Sequence, residues 1–287
     1  MHSVRRGRGS LPERCARSRR GYTGRIAPTL PPMSARTPIS ACVITLNEAD
    51  RIEACLDSLA FCDEIVVVDS GSTDATRELA AAHGARVLLR TFDGYRTQKD
   101  HAVRNAGHDW ILFLDADERV TPALRASIEA ARDAGFAAAG YRCARATEYF
   151  GAFLRHGNAY PDRVLRLFDR RRGGFRGDRE IHEHVEVDGV VATLAGDIEH
   201  HAYRSLDDQL QRLDRYARMM AAHMHAAGRR AHIANILLNP AWRFLRGYLL
   251  RGGFRDGWRG LVYASVEANY VRQKFIRLWL LQRPSRR

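Results

Sequence analysis

Lysine is almost absent from this 287-residue chain: Lys99 and Lys274 are the only two among 46 basic residues. Arginine therefore carries nearly all of the positive charge, and that skew reads as composition rather than function. The five cysteines include no C-x-x-C pair and their number is odd. A disulfide framework and a zinc knuckle are thereby disfavoured, and a reducing compartment fits best. No stretch free of Asp, Glu, Lys and Arg is longer than 231–242, and that one contains His232 and Pro240. A membrane-spanning helix needs about 20 apolar residues, so none is expected. The basic N-terminus lacks the apolar segment of a secretory signal. Repeats of solenoid period and low-complexity tracts are also missing, which sets aside solenoid, collagen-like and wholly disordered chains.

What is present is 45% hydrophobic residues, enough for one large domain or one domain with appendages. The net charge is +13, but it sits at the two ends. Residues 1–32 hold eight Arg and one Glu, and residues 240–287 hold ten Arg, one Lys, one Asp and one Glu. The intervening body is slightly acidic. A basic total suggests nucleic acid; this distribution does not, and no nucleic-acid partner is expected. Residues 1–37 read as a disordered basic tail of Arg, Gly, Ser and Pro, with Met33 as an alternative start.

From residue 39 the pattern changes. Strands are expected at 39–46, 64–68, 86–89 and 110–114, and helices at 49–59, 74–83, 98–106 and 121–134, the last with Pro122 in its first turn. Alternation of this kind, with continuously apolar strands, implies a mostly parallel sheet covered by helices on both faces. Further on, short strands are expected at 163–168, 184–187 and 190–194, with a charged, Gly-rich loop at 170–177. From 206 the reading is helical: 206–227, 233–250 interrupted by Pro240, and 254–281. The domain reading is a body over 38–205 followed by a helical extension over 206–287.

In open α/β sheets, ligands bind beyond the carboxyl ends of the strands. Three polar clusters fall there: Thr45-Leu46-Asn47-Glu48, Asp69-Ser70-Gly71-Ser72-Thr73-Asp74 and Asp115-Ala116-Asp117-Glu118. Singly, each has an ordinary structural explanation, such as a helix cap or a turn. Together they mark one edge. Carboxylates two residues apart after an apolar strand suit Mg²⁺ or Mn²⁺ shared with a diphosphate.

In this order the clusters resemble family 2 of the inverting glycosyltransferases, which have the GT-A fold. Gln98-Lys99 ahead of Asp109-Trp110-Ile111-Leu112, and Arg166-Leu167-Phe168 leading to Ile181-His182-Glu183, resemble the branch containing lipopolysaccharide inner-core glucosyltransferases. The ordered motifs cover about 39–203. The resemblance implies transfer of one hexose from a nucleotide diphosphate sugar, UDP-linked, to a glycolipid acceptor with inversion. It implies that Asp69, with Ser70 and Gly71, binds the base or ribose, that Thr45, Asn47 and Glu48 line the same pocket, and that Lys99 reaches the nucleotide or a phosphate. Asp117, with Asp115, would hold the divalent metal, and His200 is a further candidate at the diphosphate or metal. Glu183 is the expected catalytic base, with His182 the second candidate and Glu180 and Asp178 its rivals. Asp100 stands where the family commonly has Asn. The Gln-x-x-Arg-Trp of processive members is absent; Gln209-Leu210-Gln211-Arg212-Leu213 lacks the Trp. Transfer to polyprenyl phosphate or a capsular acceptor, and a metal-dependent nucleotidyltransferase, are the alternatives.

Residues 240–287 combine aromatics with basic side chains, the pattern of an interfacial helix on an anionic membrane. The expected location is cytoplasmic, peripheral on the inner face of the cytoplasmic membrane. The composition of the N-terminal tail cannot build a core, so deleting residues 1–32 should leave the thermal melting temperature unchanged.

Overall fold

The computed structural model describes residues 36–177 and 183–283. The tail over 1–35, and His182 with Asp178 and Glu180, lie outside the described residues. β1 (Ile39–Thr45), α1 (Ile52–Ser58), β2 (Glu64–Asp69), α2 (Thr76–Ala82), β3 (Arg86–Leu89), α3 (Tyr95–Asn105) and β4 (Trp110–Asp115) follow the expected alternation. Then come β5 (Glu118–Val120), α4 (Pro122–Asp133), β6 (Gly140–Thr147), β7 (Asp162–Asp169), β8 (Gly173–Arg176), β9 (His184–Val187) and β10 (Val191–His200). Three long helices close the chain: α5 (Leu206–Ala226), α6 (Ile233–Leu245) and α7 (Gly257–Leu281).

Eight strands form one sheet in the order β3-β2-β1-β4-β7-β6-β10-β5. The pairings β3–β2, β2–β1, β1–β4 and β6–β10 are parallel, and β4–β7, β7–β6 and β10–β5 antiparallel. The sheet is thus mixed, with parallel pairings in the majority. β1 and β4 are buried along nearly their whole length, as strands covered on both faces must be. On one face Ile52, Leu56, Ala80, Leu124 and Ile128 bring α1, α2 and α4 onto the sheet. On the other, Ala102 and Val103 of α3 pack with Phe175 of β8 against Val66, Phe113 and Phe168.

Local chemistry explains the helix starts. The Thr121 hydroxyl accepts a hydrogen bond from the Leu124 amide at 3.2 Å, with Pro122 in the first turn. Ser205 caps α5 by accepting from the Asp208 amide at 3.1 Å. Asp207 and Asp208 stand in the first turn and His223 and His225 in the last, the arrangement that complements a helix dipole.

Several expectations are corrected. β5 and β6 were not anticipated, and β8 lies inside the expected 170–177 loop. Its Gly173-Gly174 pair carries little apolar signal, and pairing with β9 supplies the order instead. β10 runs on to His200 through an irregularity between Thr193 and Asp197. Gly196 is there at φ +88°, where a Cβ would collide with the backbone of Leu124. Pro240 does not interrupt its helix. It costs one backbone hydrogen bond, and packing of α6 along α7 carries the helix through. The chain turns instead after a π-helical stretch, Arg246–Leu250.

One buried ionic cluster joins the strands. Glu118 is fully buried and accepts from Arg166 at 2.7 Å and Arg145 at 2.9 Å. Removing one member of a buried charge cluster strands the others. Glu118→Ala should therefore cost about 3–5 kcal/mol of stability, read as a lowered denaturation midpoint; an unchanged midpoint would contradict it.

Candidate active site

Strand register assembles the three polar clusters. Thr45 at the end of β1 is paired with Asp69 at the end of β2, and Ile44 with Asp115 at the end of β4. All three therefore meet at one edge.

Two loops there are stitched to each other. Asn47, at φ +55°, accepts through Oδ1 from the Thr73 amide at 2.8 Å, and its own amide donates to Ser72 Oγ at 2.8 Å. The Glu48 amide donates to Thr76 Oγ1 at 2.9 Å. Asp69 is fully buried, and its carboxylate accepts from the amides of Gly71 and Ser72 at 3.0 and 2.9 Å and from the Ser72 hydroxyl. It shapes the loop that Gly71, at φ +99°, turns. Buried Gln98 holds the same loop, donating to Ser70 Oγ at 3.0 Å. The Thr45 hydroxyl is buried with no hydrogen-bond partner among the described residues.

Glu48 faces Arg204 across the edge. The Arg204 guanidinium lies 2.8 Å from both Glu48 and Asp50, and donates to the Asn47 carbonyl at 3.3 Å. Burial pushes the Glu48 carboxyl up, with Arg204 opposing. A cavity of 180 Å³ adjoins this clamp, lined by Glu148, Tyr149, Phe150, Tyr203, Arg204 and Ser205.

The Asp115 carboxylate is held on both oxygens, 3.3 Å from Lys99 and 2.9 Å from Arg166. Burial would raise its pKa, but Lys99, Arg166 and Arg145 hold it well below the usual carboxylate range. Asp117 is also lowered: burial opposes ionisation and His200 outweighs it. Asp117 Oδ2 and His200 Nε2 are 3.6 Å apart. That proximity comes from β5, whose Glu118 pairs with His200 of β10.

Lys99 is the joint of the site. It is buried, lies over the rings of Phe113 and Phe175 at 5.3 and 5.6 Å, and reaches Glu183 at 3.2 Å as well as Asp115. It is no solvated helix residue. Asp100, one position on, has Arg96 at 4.0 Å and no part in this network. The structure thus brings together Thr45, Asn47, Glu48, Asp69, Ser70 and Gly71 on one side and Lys99, Asp115, Asp117, Glu183 and His200 on the other.

No three His, Cys, Asp or Glu side chains among the described residues form a metal-binding group. Each Asp115 oxygen faces one cation, so a metal ion there would meet a carboxylate whose charge Lys99 and Arg166 already match. Arg204 carried no sequence signal as a site residue. Glu118 did, as the last member of the Asp115–Glu118 cluster, and so did Arg166, within Arg-Leu-Phe, but both without a role.

A family model described as Glycosyl transferase family 2 matches residues 40–233. A lipopolysaccharide core biosynthesis glycosyltransferase, LpsC, of Rhizobium meliloti is 31% identical over 245 residues, covering 83% of this chain and 91% of its own. An uncharacterized glycosyltransferase of Rickettsia bellii is 28% identical, covering 84% of each. Among solved structures, the mannosyltransferase PcManGT from Pyrobaculum calidifontis, in complex with GDP-Man and Mn²⁺, is 18% identical with a TM-score of 0.49 over 88% of this chain and 90% of its own.

Lys99 stands between two carboxylates, so its removal should be felt at both. In Lys99→Met the Asp115 carboxyl should titrate closer to the ordinary value of about 4, followed by carboxyl-carbon NMR. An unmoved titration would assign the depression to the arginines alone.

Proposed function

The chain belongs to glycosyltransferase family 2, and we propose that it moves one hexose from a nucleotide diphosphate sugar to a glycolipid acceptor with inversion, in lipopolysaccharide core synthesis. The observation that carries this reading is the Asp115–Lys99–Glu183 chain. It sets a carboxylate, Glu183, across from the acidic end of β4. Membership of the family sets aside the nucleotidyltransferase alternative.

The donor nucleotide would lie along the stitched loops. Asp69 acts there by holding the Ser70–Gly71–Ser72 backbone in shape. A divalent cation fits the pair Asp117 and His200, one anionic oxygen and one imidazole nitrogen 3.6 Å apart, with the remaining positions left to phosphate and water. The imidazole favours Mn²⁺ over Mg²⁺. Bound there, the ion would neutralise charge on the leaving diphosphate. Asp115 serves that centre through charge and position rather than as a direct ligand.

Inversion is a single displacement at the anomeric carbon, so one base must take the acceptor hydroxyl proton opposite the leaving group. Glu183 takes that proton, and Lys99 fixes the carboxylate in position. The acceptor sugar enters by the cavity beside Arg204, where the rings of Tyr149, Phe150 and Tyr203 offer flat apolar faces and Glu148 and Arg204 offer polar groups.

A screen of UDP-linked and other nucleotide sugars, for binding and donor hydrolysis with and without Mn²⁺, tests the donor. Glu183→Gln should keep donor binding and lose turnover by roughly a hundredfold or more, the scale of a lost general base. Full turnover at saturating acceptor would remove Glu183 from the mechanism. Asp117→Asn should weaken donor binding and metal dependence together, whereas Asp69→Ala should weaken nucleotide binding and leave metal preference unchanged. Transfer by Asp117→Asn at the native rate with native metal dependence would refute the metal assignment.

A further inference from the structure

α6 carries an apolar face that stays exposed among the described residues. Ile233, Leu237, Leu238, Trp242, Leu245 and Leu249 are each between 41% and 65% exposed. Their spacing places Leu237 to Leu249 along one side of the helix. The other side meets α7, where Arg243 pairs with Glu267 at 2.6 Å. Leu250, Phe254 and Trp258, at the turn and the start of α7, are also exposed. A contiguous apolar surface of this kind on a polar protein marks an interaction site.

The charge around it has one sign. From Arg215 to Arg255 the chain holds eight Arg and no Asp or Glu. Arg246, Arg251 and Arg255 are exposed, and their side chains have no hydrogen bond or ion pair among the described residues. In the catalytic body, by contrast, Arg145, Arg166 and Arg204 are all matched to carboxylates. A second copy of the chain seated on this face across a two-fold axis would set arginines against arginines. A hydrophilic polyanion would satisfy the charges and leave the stripe in water.

We infer that this face lies on an anionic lipid bilayer, its stripe at the headgroup–acyl boundary and its arginines on the lipid phosphates. The assignment stands on the helix face alone. Its functional sense rests on the glycolipid reading: the Phe150 ring, on the wall of the cavity beside Arg204, is 6.0 Å from the ring of Trp258, and Arg259 donates to the Phe150 carbonyl at 2.9 and 2.8 Å. The cavity therefore adjoins the lipid-facing stripe, where an acceptor anchored by its acyl chains would present its sugar.

Flotation of the full chain tests this, with vesicles of phosphatidylcholine alone or mixed with phosphatidylglycerol. The native protein should float with the mixed vesicles far more than with the neutral ones. The triple variant Arg246→Gln/Arg251→Gln/Arg255→Gln should lose roughly a hundredfold in partitioning to mixed vesicles, each arginine contributing about fivefold. Leu238→Glu/Trp242→Glu should reduce binding to both vesicle types by about tenfold or more. All three proteins should melt alike and hydrolyse nucleotide sugar alike without vesicles. That arm reports on the proposed reaction separately from the surface. Equal recovery on neutral and mixed vesicles, native-like binding by Leu238→Glu/Trp242→Glu, or a native dimer in sedimentation that this variant dissociates would each overturn the assignment.

Discussion

The pairing of buried carboxylates with buried cations around the end of β4 is the constraint on which the rest of the site depends. Glu118 and Asp115 leave the strand within four residues of each other and are largely withdrawn from water. Alone they would repel each other. Arg166 from β7 touches both, Arg145 from β6 touches Glu118, and Lys99 from α3 touches Asp115. Charges so desolvated are costly to bury and more costly to unpair. The mixed order of the sheet has a consequence here: β7 beside β4, and β6 beside β7, put the two arginines in reach. A purely parallel sheet in chain order would not.

This cluster also sorts the acids into roles that their spacing conceals. Asp115 and Asp117 look equivalent as an Asp-x-Asp pair. In the fold, Asp115 is neutralised by Lys99 and Arg166, and Asp117 has the His200 imidazole 3.6 Å away. Asp117 is therefore the member whose charge is less fully matched by a permanent cation. Asp69 differs again: its carboxylate is spent on the backbone of its own loop, so it presents shape more than charge.

The parallel half of the fold was legible because its strands are continuously apolar and its clusters follow them at once. β1, β2 and β4 needed only the run of residues and the rule that ligands gather at carboxyl ends. The antiparallel half was harder to read. β6 carries three charged or polar residues among eight, and β8 opens on two glycines, so neither has a periodicity to find. Glu183 was legible by resemblance, and its ion pair with Lys99 was not, since 84 residues separate them. Arg204 was invisible for the same reason: its partners Glu48 and Asp50 lie more than 150 residues earlier.

The two kinds of arginine explain why a strongly basic chain has an acidic site. In the body, arginines answer specific carboxylates and leave little field beyond them. Over 215–255 Arg218 and Arg243 pair with Asp214 and Glu267, but the exposed Arg246, Arg251 and Arg255 have no carboxylate partner among the described residues, so their field extends outward and is limited only by salt, over about 8–10 Å. On the proposed reading, a donor diphosphate would bring negative charge into an edge already rich in Asp and Glu, where Lys99, Arg166 and a divalent ion would offset it. On the inferred docking, anionic lipid would bring negative charge to the three arginines that no acid matches among the described residues. On these two proposals, separation of the regions would let one chain hold an anionic donor and lie on an anionic surface without either competing for the same cations.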